Sequence, residues 1–192
     1  MNNLKQIERE KIKEKLKQFS LKEKNKYDKK IFEKLISLKI YSSAKEIFTY
    51  VSFDKEVDTI NIIDFSLKNG KKVYVPKIIK STKILKIFQI NSINELQTGI
   101  YKIPEPFKGS EVRKKEFDLL LIPGLAFDKS CFRLGRGEGY FDRFLTQIVG
   151  YKVGLCFAFQ VKKRLPIEEH DIRMDMIITE NQIYTCNCST KT

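Results

Sequence analysis

The sequence predicts a single α/β domain, residues 1–192, with a largely parallel central sheet flanked by helices. Helical segments alternate with short runs rich in β-branched and aromatic residues along most of the chain. The run FDLLLIPG at 117–124 is apolar until it reaches Pro-Gly, which is typical of a strand buried on both faces of a parallel sheet. The 192 residues are 42% hydrophobic, enough for one core of ordinary size.

The N-terminal part is predicted to be helical before the sheet begins. Apolar side chains at helical spacing predict a helix over 4–18, with a stripe formed by Leu4, Ile7, Ile12, Leu16 and Phe19. Ser20 stands three residues before Glu23, the pattern of a capping box, and predicts a second helix to about residue 39. The run EIFTYVSF at 46–53 predicts the first strand.

The remainder alternates between strands and connections. A helix is predicted over 60–68, capped by Asp58 or Thr59 and ended by Asn69-Gly70. Turn residues between 92 and 116 indicate a surface connection. Further strands are predicted in the runs KKVYVPKI (71–78), LKIFQI (85–90), FDLLLIPG (117–124), YKVGLCFAF (151–159) and MIITENQIYT (176–185), the last as a hairpin or terminal strand.

Composition narrows the classes of protein to consider. No apolar run approaches the roughly 18 residues of a membrane helix, and no apolar segment follows the N-terminal charges as in a secretory signal. We therefore expect a cytoplasmic protein without membrane contact. The four cysteines, Cys131, Cys156, Cys186 and Cys188, show no framework spacing and are expected to be unpaired thiols. The Cys186-x-Cys188 pair lacks the second pair of ligands that a zinc site needs.

The net charge of +13 favours anionic partners in general but does not select among them. Thirty of the 37 basic residues are lysines, and they are spread over most of the chain. A nucleic-acid binder usually concentrates such charge on one face. We therefore expect no specific nucleic-acid partner. The alternative, a basic RNA-binding module, would need stacking aromatics on a strand face or a recognised RNA motif, and neither is visible.

The segment RLGRGEGYFD at 133–142 has the properties of a phosphate-binding loop. Its three glycines allow the backbone to approach a ligand closely, so that N–H groups point at phosphate oxygens. A helical stripe follows, so the loop leads into a helix N-terminus, which favours an anion. Arg133 and Arg136 add planar, permanently charged donors. The pattern matches neither the dinucleotide fingerprint nor the Walker loop.

With these residues in view, the chain resembles the 5-formyltetrahydrofolate cyclo-ligase family, also called 5,10-methenyltetrahydrofolate synthetases. The resemblance rests on PGLAFD at 123–128 followed by RLGRGEGYFD at 133–142. Further matches lie in the same order along nearly the whole chain: Lys5 and Arg9, YVSFDKEVDT at 50–59, IPEP at 103–106 and EEHDIRMD at 168–175.

The resemblance implies a NagB/RpiA/CoA-transferase-like fold and an ATP-dependent ring closure on a folate. ATP would phosphorylate the formyl oxygen of 5-formyltetrahydrofolate, and ring closure would then give 5,10-methenyltetrahydrofolate, ADP and phosphate. The implied cofactors are ATP and Mg²⁺, the implied partner is the small-molecule folate, and we expect a monomer. The alternative is another ATP- or phosphate-dependent enzyme on the same scaffold, because a fold does not determine a function.

The family's ATP contacts, carried over by motif, fall on the first helix and the glycine-rich loop. Lys5 and Arg9 are four residues apart and so share one helix face. By composition alone this would be a solvated charged face. The residues implied to wrap the triphosphate are Arg133, Leu134, Gly135, Arg136, Gly137, Glu138, Gly139, Tyr140 and Phe141, with Arg136 and Tyr140 expected to be catalytic.

The folate and the metal are implied to bind around this loop. The residues expected to contact the folate are Val51, Phe53, Glu56, Arg136, Gly137 and Tyr140. Glu56 suits the amino and amide donors of the pterin, because an ionised carboxylate only accepts hydrogen bonds. Asp142 and Asp175 resemble a Mg²⁺-binding pair, a chemistry in which one or two carboxylates act with substrate phosphates. His170, the only histidine, is expected to shape the site or to be structural.

One position departs from the family. Glu138 stands in the loop where the family often has lysine or glycine. A carboxylate there would repel the γ-phosphate unless it turned outward or reached the metal. We therefore expect Glu138→Lys to lower the KM for ATP.

Overall fold

The computed structural model describes residues 2–99, 102–113, 115–169 and 171–186, with side chains from residue 4 onward. His170 and Cys188 lie outside the described residues. Five α-helices are present in the described part of the chain: α1 (Asn2–Gln18), α2 (Leu21–Ser37), α3 (Lys39–Ser43), α4 (Ile60–Lys68) and α5 (Tyr140–Leu145). Within this part of the chain, no helix is both long enough and apolar enough to cross a membrane.

The strands form one large sheet and two small ones. Their bounds are β1 (Glu46–Thr49), β2 (Lys72–Ile79), β3 (Ile84–Ile90), β4 (Leu96–Thr98), β5 (Pro104–Pro106), β6 (Ser110–Val112), β7 (Glu116–Ile122), β8 (Ala126–Asp128), β9 (Arg133–Leu134), β10 (Val149–Leu155), β11 (Val161–Lys162), β12 (Met176–Ile178) and β13 (Ile183–Thr185). The large sheet has the order β13-β12-β10-β7-β1-β2-β3-β6. Its five inner strands, β12 to β2, are parallel, and antiparallel strands lie at both edges. The predicted α/β class is confirmed.

The central strand β7 divides the core between the two faces of the sheet. Leu119 and Leu121 pack in the cluster covered by α2 and α3, whereas Leu120 and Ile122 pack in the cluster covered by α5. All four side chains are fully buried. The prediction of a strand buried on both faces is therefore correct. Because β7 ends at Ile122, the following Pro123-Gly124 lies at the carboxyl edge of the sheet.

The predicted cap of the second helix is present. The backbone N–H of Glu23 donates to the Ser20 hydroxyl at 3.2 Å, and that hydroxyl donates to the Glu23 carboxylate at 2.7 Å. The helix ends at Ser37, and the short α3 continues to Ser43. Asn69 and Gly70 terminate α4 as expected, with Gly70 at φ 72°.

Two stretches differ from the prediction. Residues 92–116 hold three strands of three residues each, and β6 extends the large sheet beside β3. Residues 126–134 form the antiparallel pair β8–β9, and β11, much further along the chain, pairs with β8. Strands this short carry too few alternating residues for a pattern, and their partners lie far away in the sequence.

The expectation of unpaired thiols is wrong for two of the cysteines. Cys131 and Cys186 form a disulfide with their Cα atoms 6.1 Å apart, while Cys156 is free and buried. The two partners are 55 residues apart, and only the fold brings the end of β13 beside the turn after β8. Their linear spacing therefore gave no signal of the pairing.

Candidate active site

A cavity of about 390 Å³ opens at the carboxyl ends of β1 and β7. This is where ligands bind in open α/β sheets, and the volume falls in the range of roughly 300–1,000 Å³ found for small-molecule sites. The wall is formed by Lys13, Tyr50, Val51, Phe53, Glu56, Pro76, Ile78, Leu85, Ile103, Pro104, Glu105, Pro123, Gly124, Arg133, Gly135, Arg136, Glu138, Gly139, Tyr140, Phe141 and Asp142.

The glycine-rich loop forms the polar side of this cavity. Gly137 and Gly139 have φ of 109° and 70°, values that residues with a side chain rarely adopt, and Gly139 lies at the N-terminus of α5. Asp128, which is buried, accepts hydrogen bonds from the backbone N–H groups of Ser130, Phe132 and Leu165 at 2.9–3.0 Å. These bonds fix the turn that leads into the loop.

Arg136 projects from the loop onto two predicted folate contacts. Its Nη2 and Nε donate to Oε1 of Glu56 at 2.9 and 3.2 Å, and its guanidinium lies 4.5 Å from the centre of the Phe53 ring. Burial raises the pKa of Glu56, and the charge of Arg136 opposes that rise. The structure therefore brings the glycine-rich loop into direct contact with two of the predicted folate residues.

The segment after β1 holds Val51, Phe53 and Glu56 in place through Thr59. The Thr59 hydroxyl donates to the Tyr50 carbonyl at 2.7 Å and accepts from the Ser52 N–H at 2.8 Å. The carboxylate of Glu56 also accepts from the Phe53 N–H at 3.3 Å. These contacts stabilise the turn from which the three side chains face the cavity.

Arg133 has a different environment from Arg136. It is 7% exposed, forms an ion pair with Asp142 and donates to the Pro123 carbonyl at 3.3 Å. Its guanidinium also lies 5.9 Å from the Phe141 ring. Arg133 thus links the end of β7 to α5. Asp142 lies on the cavity wall, and its carboxylate forms the ion pair with Arg133.

The first helix contributes less to the cavity than predicted. Arg9 donates from Nε to the Gly135 carbonyl at 3.0 Å, so it supports the loop from behind. Lys5 is buried and bonds to Glu168 at 2.9 Å and Asp171 at 2.7 Å. Burial lowers the pKa of Lys5, but the two carboxylates outweigh it, and the pKa is raised overall. Neither residue lies on the wall.

Asp175 and two loop residues also lie off the wall. Asp175 directly precedes β12, and its carboxylate accepts from the Lys152 N–H at 2.7 Å. Leu134 packs in a small apolar cluster with Ile12, and Gly137 faces Arg9. Of the predicted metal pair, the structure therefore places only Asp142 at the cavity. Among the described residues no three His, Cys, Asp or Glu side chains form a metal-binding group.

Sequence reasoning missed several wall residues, and most are apolar. Pro76, Ile78 and Leu85 come from the β2–β3 hairpin, and Ile103 to Glu105 come from the run IPEP. That run was part of the family resemblance, which indicated its importance but no role. Lys13 could have been predicted from the sequence, because it follows Arg9 by one helical turn and so lies on the same face of α1.

The fold and the site together define a class. An α/β protein with a concave, partly apolar cavity beyond its parallel strands, bordered by a glycine-rich loop with two arginines, is built to bind a small anionic ligand.

Comparison with known proteins identifies the family within that class. The chain belongs to the 5-formyltetrahydrofolate cyclo-ligase family, whose profile matches residues 1–180. It is 30% identical over 195 residues to 5-formyltetrahydrofolate cyclo-ligase of Mus musculus, covering 94% of this chain and 96% of that protein.

Two solved structures have the same fold. The NMR structure of Aquifex aeolicus 5,10-methenyltetrahydrofolate synthetase matches with a TM-score of 0.88 and 31% identity, covering 98% of this chain and 96% of that one. The 5,10-methenyltetrahydrofolate synthetase from Mycoplasma pneumoniae matches with a TM-score of 0.73 and 26% identity, covering 92% and 98%. The resemblance inferred from the motifs is confirmed.

Proposed function

We propose that this protein catalyses the ATP-dependent cyclisation of 5-formyltetrahydrofolate to 5,10-methenyltetrahydrofolate, releasing ADP and phosphate. Membership of the family supports the reaction. The observation that carries the proposal is the contact between Arg136 of the glycine-rich loop and Glu56 and Phe53 of the opposite wall. This contact supports the proposal because it joins the glycine-rich loop, which suits phosphate, to an apolar and acidic surface that suits a pterin.

The reaction asks mainly for positioning and charge stabilisation. The γ-phosphoryl group of ATP passes to the oxygen of the formyl group that the 5-nitrogen carries, and ADP leaves. The 10-nitrogen then attacks the formyl carbon, the carbon–oxygen bond to phosphate breaks, and the 10-nitrogen loses its proton. Phosphorylation is needed because the oxygen would otherwise have to leave as hydroxide, which is a poor leaving group.

We assign roles to the residues at the cavity accordingly. The loop backbone at 135–139 and Arg136 would bind the phosphates, and the Tyr140 ring on the wall would border the transferring group. Arg9 supports the loop through Gly135, and Arg133 positions Asp142. Phe53 would cover a face of the pterin. The exposed side chain of Arg136, 40% accessible, is free to turn from Glu56 towards a phosphate.

Asp142 is the residue we propose for Mg²⁺. A carboxylate on the wall beside the phosphate loop fits a cation that is typically held by one or two carboxylates, waters and substrate phosphates. Bound there, Mg²⁺ would neutralise charge on the triphosphate. A metal-binding role for Asp175 remains a prediction, because its carboxylate accepts a hydrogen bond from the Lys152 N–H and does not line the cavity.

We also propose a monomer that acts in the cytoplasm without a specific nucleic-acid partner. The even spread of lysines along the chain supports the last point, because the charge forms no single basic block in the sequence. Light scattering coupled to size-exclusion chromatography tests the oligomeric state directly.

The reaction is tested by mixing the purified protein with 5-formyltetrahydrofolate and Mg-ATP and following the near-ultraviolet absorbance of the methenyl product. We expect a rise that requires both ATP and Mg²⁺ and that is lost in Arg136→Ala. Arg164→Ala removes an exposed arginine away from the cavity and serves as the matched control. Nucleotide binding without product formation would instead favour a different ATP-dependent enzyme on this scaffold.

A further inference from the structure

An arginine that does not line the cavity is bonded to the backbone of the glycine-rich loop. Arg143 lies on α5, is exposed, and is not part of the cavity wall. Its Nη2 donates to the backbone carbonyl of Glu138 at 3.0 Å and to that of Lys83 at 2.8 Å, and its Nε also donates to the Lys83 carbonyl at 3.1 Å. One guanidinium group therefore joins the loop to the turn of the β2–β3 hairpin.

The hairpin turn fixes the position of this guanidinium group. A long side chain at the surface loses conformational freedom when it is held, so a single hydrogen bond would hold it weakly. Lys83 has φ of 53° in the turn, and its carbonyl accepts two hydrogen bonds from Arg143. The guanidinium also lies 5.6 Å from the centre of the Tyr140 ring. Because Nη2 carries two protons, it donates to the Lys83 and Glu138 carbonyls at once.

The hydrogen bond to Glu138 sets the direction of the next backbone N–H. In a trans peptide the carbonyl and the following N–H point in opposite directions, and the described part of the chain contains no cis peptide bond. Since the Glu138 carbonyl points to Arg143, the Gly139 N–H points away from it. Gly139 borders the cavity, whereas Arg143 does not. Within the described residues the Gly139 N–H makes no hydrogen bond, so it is available to a ligand.

The guanidinium group packs directly against the loop backbone. A methyl group at position 139 would lie 2.6 Å from Nη1 of Arg143, so glycine is needed for this close approach. Arg9 makes a similar contact earlier in the loop, where its Nε donates to the Gly135 carbonyl. Two arginines that do not line the cavity thus bind loop carbonyls, and the peptide N–H groups that follow those carbonyls point the other way.

We propose that Arg143 is a positioning residue that directs the Gly139 N–H towards a phosphate of ATP. This inference rests on the proposed function, because it takes ATP as the ligand of the loop. A donor that is already aimed at the developing charge stabilises the transition state without having to reorganise. Arg143 acts through the loop backbone, which distinguishes its role from that of Arg136 on the wall.

The first test is the rate of product formation in Arg143→Ala. We expect kcat to fall at least about tenfold, because the loss of one aimed donor typically costs a factor of about a hundred or more. Arg143→Lys keeps a charged donor for one of the carbonyls and should recover part of the loss. Arg164→Ala removes the same charge at an exposed position off the wall and should leave kcat unchanged. If Arg143→Ala fails to fold, Arg143→Lys serves for the comparison.

The NMR signal of the Gly139 backbone amide separates positioning from a merely structural role. In the wild type and in Arg164→Ala, a non-hydrolysable ATP analogue with Mg²⁺ should shift this proton downfield, because the N–H donates to phosphate. In Arg143→Ala the shift should be lost. The measurement needs no folate, so it tests Arg143 whatever the second substrate is.

The outcomes for Arg143 and for the proposed function are distinct. An amide shift retained in Arg143→Ala, no shift in the wild type, or an unchanged kcat in Arg143→Ala would overturn the role of Arg143. A wild-type protein that binds ATP but forms no product from 5-formyltetrahydrofolate would overturn the proposed function, and the amide shift would then decide the role of Arg143 alone.

Discussion

Arg136 and Glu56 neutralise each other across the cavity, with Nη2 of the arginine 2.9 Å from Oε1 of the glutamate. The two residues are 80 positions apart in the sequence, one on the glycine-rich loop and one after β1. Arg136 is expected to border both ligands and Glu56 only the folate, so phosphate binding to Arg136 would open its hydrogen bonds to Glu56. We therefore expect this pair to couple the binding of the two ligands.

This coupling predicts that nucleotide strengthens folate binding. Phosphates that draw Arg136 away release the Glu56 carboxylate for the folate, so a non-hydrolysable ATP analogue should lower the Kd for 5-formyltetrahydrofolate about fivefold or more. Calorimetry with and without the analogue measures the effect. In Arg136→Ala the two Kd values should be equal, and an effect that persisted in that variant would show that the coupling takes another route.

The raised pKa of Glu56 predicts a pH-dependent difference in stability. A carboxyl whose pKa is higher in the folded than in the unfolded state stabilises the fold most when protonated, and this contribution is lost as pH rises through the folded-state pKa. Glu56→Gln removes the titration. The difference in Tm between Glu56→Gln and the wild type should therefore grow in favour of the variant as pH rises above the ordinary glutamate range. A difference that shrank over this range would contradict the direction of the shift.

Lys5 is predicted to contribute to stability more than to ATP binding. Its side chain is 8% exposed and its ammonium group is bonded to two carboxylates, so removing it would leave their charges uncompensated. Lys5→Gln should lower the free energy of unfolding by about 3 kcal/mol, and denaturant titration measures this loss.

Lys11→Gln is the control for Lys5→Gln. Lys11 is 59% exposed and paired with Glu8 on the same helix, so its loss should cost less than about 1 kcal/mol. If Lys5→Gln kept its stability and raised only the KM for ATP, the ATP contact implied by the family resemblance would be restored.

The disulfide predicts a stability that depends on reductant. Closing a loop between residues 55 apart should stabilise the fold by about 4 kcal/mol in the chain-entropy account. Urea unfolding of the wild type should shift to lower concentration when reductant is added, whereas Cys186→Ser should not respond. Because the cytoplasm keeps thiols reduced, an enzyme acting there would work in the less stable form. Equal unfolding curves with and without reductant would show that the bond does not form.

The sequence predicted those features that depend on interactions between residues close together in the chain. The apolar run of β7, the cap at Ser20 and the loop at 133–142 were readable because each signal lies within ten residues. Lys5 could not be placed in the same way, since its carboxylate partners lie more than 160 positions away. Asp175 was predicted to bind the metal because of its motif. The motif does not show that its carboxylate accepts a hydrogen bond from the neighbouring strand. Glu105 was recognisable only as part of IPEP, because the wall that it joins is built together with the β2–β3 hairpin.

Glu138 gives the prediction that bears most directly on the phosphate loop. Its side chain is exposed and borders the cavity, and its backbone carbonyl accepts a hydrogen bond from Arg143 at 3.0 Å. A carboxylate beside the proposed phosphates would repel them. Glu138→Lys reverses the charge there and should lower the KM for ATP about two- to fivefold, the effect of an exposed ion pair of up to about 1 kcal/mol.

The control for Glu138→Lys is Glu169→Lys, which makes the same charge change at an exposed position off the cavity wall. It separates a local effect from the general attraction of ATP to a more basic protein. The gain in Glu138→Lys should also shrink as salt is raised, because exposed charges are screened over about 10 Å at 0.1 M ionic strength. An unchanged or higher KM in Glu138→Lys would mean that the carboxylate assists ATP binding, as it would if it reached Mg²⁺.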